Sequence, residues 1–441
     1  MPGLRDVPYT QYALANGLTV ILTEERSSPV AAVMVMYHAG SKNEIPGRTG
    51  LAHLFEHLMF KGSLHVGDGE HFRLLQEIGA SVNATTSEDR TNYFEAVPSH
   101  ELELALYLES DRMGFLPGAL NQSKLDNQRD VVRNERRQSY DNVPYGTAYE
   151  KTSRAVYGAT HPYGWPVIGW MDDLAAATLE DAKGFFGRYY APGNACLVVA
   201  GDFDRRLVGE WIEKYFGAIS AGPAVPRLAL RPPPLADDAT LIFEEPVQLP
   251  RLYLTWPASP RGTRGEALMD LFTTILTSGK SSRLYRPLVF EEQIAQSVSA
   301  YADGKEIAGT VSIEATARPG TGLGLIEERI RNVLDDMLTN GVTEREIASA
   351  FNGKEAQLAA QRTTMLAVAG GLATAFTLRG DTAAFNRELE RFSGVSPDEI
   401  TAEARKVFSG PRVALNIVPA GGRSLAASPR KSRPTGGNNA A

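Results

Sequence analysis

His53, Glu56 and His57 lie in the stretch GLAHLFEHLMFKG, Gly50 to Gly62, and make an H-x-x-E-H sequence. On an α-helix, positions i, i+3 and i+4 share one face, so both imidazoles and the carboxylate point into the same space. The flanking Leu51, Leu54, Phe55, Leu58 and Met59 are apolar and predict a largely buried helix. Burying three polar side chains costs several kcal/mol unless each is satisfied. A zinc ion held by the two imidazoles, with Glu56 beside it, satisfies all three at once. The order mirrors H-E-x-x-H, in which two histidines bind zinc and the glutamate is the base. A solvent-facing patch is the competing reading, and the apolar flanks argue against it.

Catalytic zinc takes three protein ligands and keeps one position open. A carboxylate from another helix is the expected third, and Glu135, in QRDVVRNERRQ, lies 78 residues beyond His57.

The elements that must hold these residues follow from periodicity. Residues 9–24 alternate around Asn16-Gly17, a hairpin turn signal. VAAVMVMYH, Val30 to His38, reads as a central strand and leads through a Gly/Pro loop to the metal helix. Strands are expected at 81–86, 91–97 and 194–201. Helices are expected at 71–78, 100–115, 123–140, 179–190 and 207–216, and ordered loop with a short helix at 142–169. The single cysteine, Cys196, sits in the strand-like ACLVVAG and reads as a buried small hydrophobe.

Five prolines between Ser220 and Asp238 mark a linker. Beyond it strand, Gly/Pro loop and helix recur. Setting Gly62 against Gly279, a shift of 217 residues, keeps the apolar pattern but puts Asp270, Thr273 and Thr274 where His53, Glu56 and His57 stand. The sequence therefore predicts an α+β chain of two homologous halves, each a largely antiparallel sheet packed with helices, with the metal in the first only. The expected division is 1–219 for the zinc-binding half, 220–240 for the linker, 241–420 for the second half and 421–441 for a disordered tail.

Forty-five basic residues stand against 52 acidic ones, a formal charge of −7, which argues against general nucleic-acid binding. No apolar run reaches the length of a membrane span. The amino end shows no signal-peptide pattern, so cytoplasm or periplasm is expected.

GLAHLFEHLMFKGS, NATTSEDRTNYFEAVP (Asn83 to Pro98) and QRDVVRNERRQ together resemble the pitrilysin/insulysin family of zinc metallopeptidases. Its relatives include mitochondrial processing peptidase and the core subunits of respiratory complex III. The resemblance implies one zinc per chain on His53, His57 and Glu135, with Glu56 as general base. It implies peptide or unfolded polypeptide as substrate, added as a strand beside Asn83 and Ala84. The family often has a second glutamate seven residues before the ligand. Here that position is Gln128, an amide that can hydrogen-bond near the ligands but carries no charge.

Active one-chain members also carry an arginine and, seven residues later, a tyrosine that hold the substrate carbonyl. Aligned on SSRLY and SVSA, these positions fall on Val289 and Gln296. Arg283 and Tyr285 have the wrong spacing for that pair and read as helix-packing residues. The resemblance thus implies a homologous partner subunit bearing the Arg/Tyr pair. A self-sufficient homodimeric peptidase and a non-catalytic subunit like the complex III core proteins are the alternatives.

Overall fold

The computed structural model describes residues 4–428. They form two compact units, each drawn from three stretches of chain.

The first unit takes residues 4–141, 165–229 and 351–393. Its six strands are β1 (Thr10–Ala13), β2 (Thr19–Glu24), β3 (Val30–Tyr37), β4 (Ser81–Thr86), β5 (Thr91–Pro98) and β6 (Ala195–Gly201). They lie in the order β1-β2-β6-β3-β5-β4, antiparallel throughout except for β2 beside β6. Gly17 closes the β1–β2 hairpin at φ +84°, and the Asn16 amide donates to the carbonyls of Phe216 and Ile219. The helices of this part of the chain are α1 (Leu51–Leu58), α2 (Glu70–Glu77), α3 (Leu102–Ala119), α4 (Gln122–Arg136), α5 (Ala148–Tyr157), α6 (Met171–Ala176), α7 (Leu179–Tyr189) and α8 (Arg205–Phe216). Of these, α5 belongs to the second unit.

The second unit takes residues 142–164, 230–350 and 394–428. Its strands are β7 (Ala239–Glu245), β8 (Arg251–Ala258), β9 (Ala295–Gly304), β10 (Gly309–Ala317) and β11 (Val413–Pro419). The order β7-β11-β8-β10-β9, with β7 and β11 parallel and the rest antiparallel, repeats β2-β6-β3-β5-β4 strand for strand. The remaining helices are α9 (Arg264–Thr277), α10 (Leu323–Asn340), α11 (Glu344–Ala360), α12 (Met365–Arg379) and α13 (Pro397–Phe408). Two homologous α/β halves, each a mostly antiparallel sheet with helices, are thus present as the sequence predicts.

The unbroken apolar run of β3 is explained by cover on both faces. Ala31, Val33, Val35 and Tyr37 join the core under α1, α3 and α8. Ala32, Met34 and Met36 pack against Val368, Leu372 and Ala373 of α12. That second cover comes from far down the chain. The matching arrangement holds for α5, whose Ala148 packs with Tyr253, Leu415 and Ile417 of the second sheet. Each unit therefore carries one helix from the other half of the sequence.

Residues 421–428, which composition assigns to a disordered tail, instead run beside β11. A short turn spans Arg423–Leu425, and the Ala427 N–H donates to the buried side chain of Asn416 (2.9 Å), an acceptor that needs a partner. The rest of the expected tail, 429–441, lies outside the described residues. Among the described residues no helix is long and apolar enough to cross a membrane.

Candidate metal centre

The helix that carries His53, Glu56 and His57 is fixed at its start, along its buried face and on the side that meets Glu135. Gly50 opens α1 at φ +88°, where a Cβ would meet the Ile168 carbonyl at 2.7 Å, so only glycine fits. The buried Glu44 carboxylate accepts the N–H groups of Gly50 (2.9 Å) and Ala52 (2.8 Å) and the indole N–H of Trp165 (3.1 Å). It thereby satisfies two of the helix's orphan donors. Burial raises this carboxyl to about 8, against the lowering effect of the three donors. Leu54 and Leu58 are fully buried, and Phe55 packs against Phe186 (5.2 Å) and Tyr190 (4.9 Å).

His53, Glu56 and His57 ride on the opposite side. The last turn of α4 delivers Glu135 to them. Next to it, Arg136 donates to the Gly169 carbonyl (3.2 Å), and Gly169 lies against Gly50 so closely that neither admits a Cβ. The end of α4 and the start of α1 are thereby tied to the same point.

Glu135 bridges the two histidines. Its Oε1 lies 3.6 Å from His53 Nε2 and its Oε2 lies 3.3 Å from His57 Nε2. One ligand atom from each residue falls within 4.8 Å of the others. A tetrahedral zinc with bonds of about 2.0–2.1 Å sets neighbouring donors roughly 3.3–3.4 Å apart, close to the two histidine–glutamate separations. Burial beside His57 holds the His53 imidazole down at about 4, with Glu135 opposing, so the ring is neutral as a metal ligand must be. The hydrogen bond with His57 holds Glu135 below the usual carboxylate range, in spite of partial burial.

Glu56 is shifted the other way. Burial raises its carboxyl above the usual range, while the hydroxyl of Thr86 donates to its Oε2 at 2.5 Å and works against that rise. Thr86 ends β4, the strand that closes the sheet on this side and carries Asn83 and Ala84. Asn83 is exposed, and its Oδ1 accepts the Ala84 N–H (2.9 Å). Gln128 is buried on α4, and its amide donates to Asn127 (2.7 Å), with no hydrogen bond to His53, His57 or Glu135. At the matching place in the second unit, α9 presents Asp270, Thr273 and Thr274. Both threonine hydroxyls donate to the Asp270 carbonyl (3.1 and 2.9 Å).

Two residues here escape a reading of the sequence. Thr86 lies inside the NATTSEDR block but has no marker of its own. Glu44 is a loop acid whose helix partners only the fold reveals. Glu44→Ala is expected to leave the buried N–H groups of Gly50 and Ala52 unsatisfied, while the Trp165 indole keeps the Ser41 carbonyl (3.1 Å), and to destabilise the protein by about 2–6 kcal/mol, using roughly 1–3 kcal/mol per unsatisfied donor. Thermal unfolding checks this, and an unchanged Tm would contradict the anchoring role.

Residues 19–161 match the family model of the insulinases (peptidase family M16), and residues 176–353 match that of the peptidase M16 inactive domain. The chain belongs to the M16 family. Among M16 relatives, zinc protease PqqE of Helicobacter pylori is 30% identical over 338 residues, 76% of each chain. The uncharacterized zinc protease YmxG of Bacillus subtilis is 27% identical over 346 residues, 77% of this chain and 81% of that one. The crystal structure of a Helicobacter pylori protease superimposes with a TM-score of 0.87 at 27% identity, covering 94% of this chain and 100% of that one. The periplasmic protease PqqL of Escherichia coli shares the fold at 17% identity, with a TM-score of 0.78 over 97% of this chain and 49% of that one. The inactive-domain match includes α9, which lacks the metal-binding set.

Proposed function

We propose that this M16 chain is the zinc-bearing subunit of an endopeptidase acting on peptides or unfolded polypeptides, completed by a homologous partner chain. The observation that carries the reading is the convergence of His53, His57 and Glu135 with the raised carboxyl of Glu56 beside them. The zinc-protease names of the relatives support it.

His53, His57 and Glu135 would hold one zinc ion per chain. When bound, it supplies Lewis-acid polarisation of a carbonyl and acidification of water. The protein's own residues do the rest. Glu56 takes the proton of the attacking water on its carboxylate and returns it to the leaving amine nitrogen. Thr86 holds Oε2 of that base in place, so the proton is taken at a fixed point. The open edge of β4 at Asn83 and Ala84 receives an extended peptide by main-chain hydrogen bonds, which give affinity without reading sequence closely.

The clamp that should hold the substrate carbonyl is what this chain lacks. Val289 is half-buried in the short π-helix Arg286–Glu291 and Gln296 is exposed on β9. Arg283 is committed elsewhere, to Glu346 (2.6 Å) and Asp336 (3.5 Å).

Two experiments test this reading. With the partner present, chelation should abolish cleavage of an unfolded polypeptide and stoichiometric zinc should restore it; cleavage that survives chelation would overturn the proposal. Thr86→Val should lower kcat about tenfold, the loss expected for one hydrogen bond of about 1.5 kcal/mol to a charged group, at unchanged zinc content. An unchanged kcat would remove Thr86 from the positioning role.

A further inference from the structure

In the second unit, the sheet face that carries Leu254 and Trp256 is covered by helices. Between α10 and α13 this cover leaves a cavity of about 400 Å³. Its floor is apolar: Leu254 and Trp256 of β8, Ile330, Leu334 and Leu338 of α10, and Phe408 of α13. Trp256 and Phe408 meet edge to face at 4.9 Å, which fixes the floor. The mouth carries Arg331, Arg405 and Lys406 against one acid, Asp335.

These cations differ in how far they are already used. Arg412, at the base, is buried and paired with Glu327. Lys406 has Glu403 at 3.4 Å. Arg405 gives its Nε to the Leu338 carbonyl (2.7 Å), which holds the guanidinium at the mouth and leaves its terminal nitrogens available. Arg331 has no acidic partner among the described residues.

The two units differ beside this cavity among the described residues. In the first unit β6 is followed by α8, whose Val208, Ile212 and Phe216 pack into the core beside α3. In the second unit α10 holds the place of α3, and after β11 the described chain makes only the turn Arg423–Leu425. The flank of α10 therefore has no such covering helix among the described residues.

We propose that this cavity binds a medium-chain amphipathic anion. The alkyl tail lies on the Trp256, Leu334 and Phe408 floor, and a carboxylate or phosphate head meets Arg331 and Arg405. The volume lies within the usual range for small-ligand pockets, and the lining sets an apolar side against a charged one in about equal measure, as an amphipathic molecule requires. A guanidinium fork suits either head group. The proposal is independent of peptidase activity.

Titration calorimetry of the full zinc-loaded chain tests it, with octanoate, decanoate and dodecanoate below their micelle concentrations, and with decyl phosphate and decanol at matched length. One molecule per chain should bind. Affinity should rise about fourfold per added methylene, the factor equivalent to about 0.8 kcal/mol. The tighter of decanoate and decyl phosphate identifies the head group. Arg331→Glu with Arg405→Glu, both at exposed positions, should weaken the anions at least tenfold and leave decanol unchanged. Leu334→Trp, which fills the floor, should abolish both kinds of binding. Absence of saturable binding, or anion affinity unchanged in the double arginine variant, would overturn the proposal.

Discussion

Glu56→Gln keeps its zinc and loses about 10²–10⁴-fold in kcat, the range for removing a positioned general base. The two effects separate because Glu56 stands beside the three residues that would hold the ion without being one of them, its Oε2 accepting from Thr86. The amide still fills the same space and can still accept from Thr86, so fold and metal site persist. It cannot take a proton from water. Metal analysis beside single-turnover cleavage of an unfolded peptide, with the partner present, gives both readouts. Retained turnover at full zinc occupancy would show that another group is the base.

Adding a homologous chain that carries the Arg/Tyr pair raises kcat/KM by at least about a hundredfold, since one missing oxyanion donor costs 10²–10³ in rate. The expectation rests on where the chain puts its own candidates. The family resemblance puts the two clamp positions at Val289 and Gln296, and neither side chain can carry a positive charge or a phenolic hydroxyl. Arg283 is tied down by two carboxylates, Glu346 and Asp336. A complementary variant, Val289→Arg with Gln296→Tyr, should recover part of the same gain in the isolated chain, because Gln296 is exposed and tolerates the larger ring. Cleavage as fast without the partner as with it would defeat the split-site account and favour a self-sufficient dimer.

The parts of this site legible in the sequence are those carried by local spacing. The H-x-x-E-H helix, the apolar run of β3 and the Asn16-Gly17 turn each follow from a few neighbouring residues. The repeat was legible too, since strand, loop and helix recur in order after the prolines. What escaped is non-local. Nothing in Met365 to Arg379 says that this helix covers β3 of the other half, and nothing in Ala148 to Tyr157 says that it covers the second sheet. Both depend on chain exchange between units, which leaves no periodic mark. The spacing of α3 gives no sign of the environment of Glu109 and Arg112, two charged residues in its middle. They are buried as an ion pair, with the guanidinium over the rings of Tyr93 (4.3 Å) and Phe60 (5.0 Å). Glu44 escaped for a similar reason: the donors it accepts from, Gly50, Ala52 and Trp165, are brought to it by the fold rather than by helical spacing.

The account stands on three side chains from two helices holding one ion. Metal analysis of protein purified at neutral pH, for the native chain and for Glu135→Gln, tests this directly. Close to one zinc per native chain is predicted, with a large loss of affinity in the variant because the amide cannot supply the charged oxygen between the two imidazoles. A metal-free native chain that does not take up added zinc, or a variant that binds it as tightly, would contradict the account.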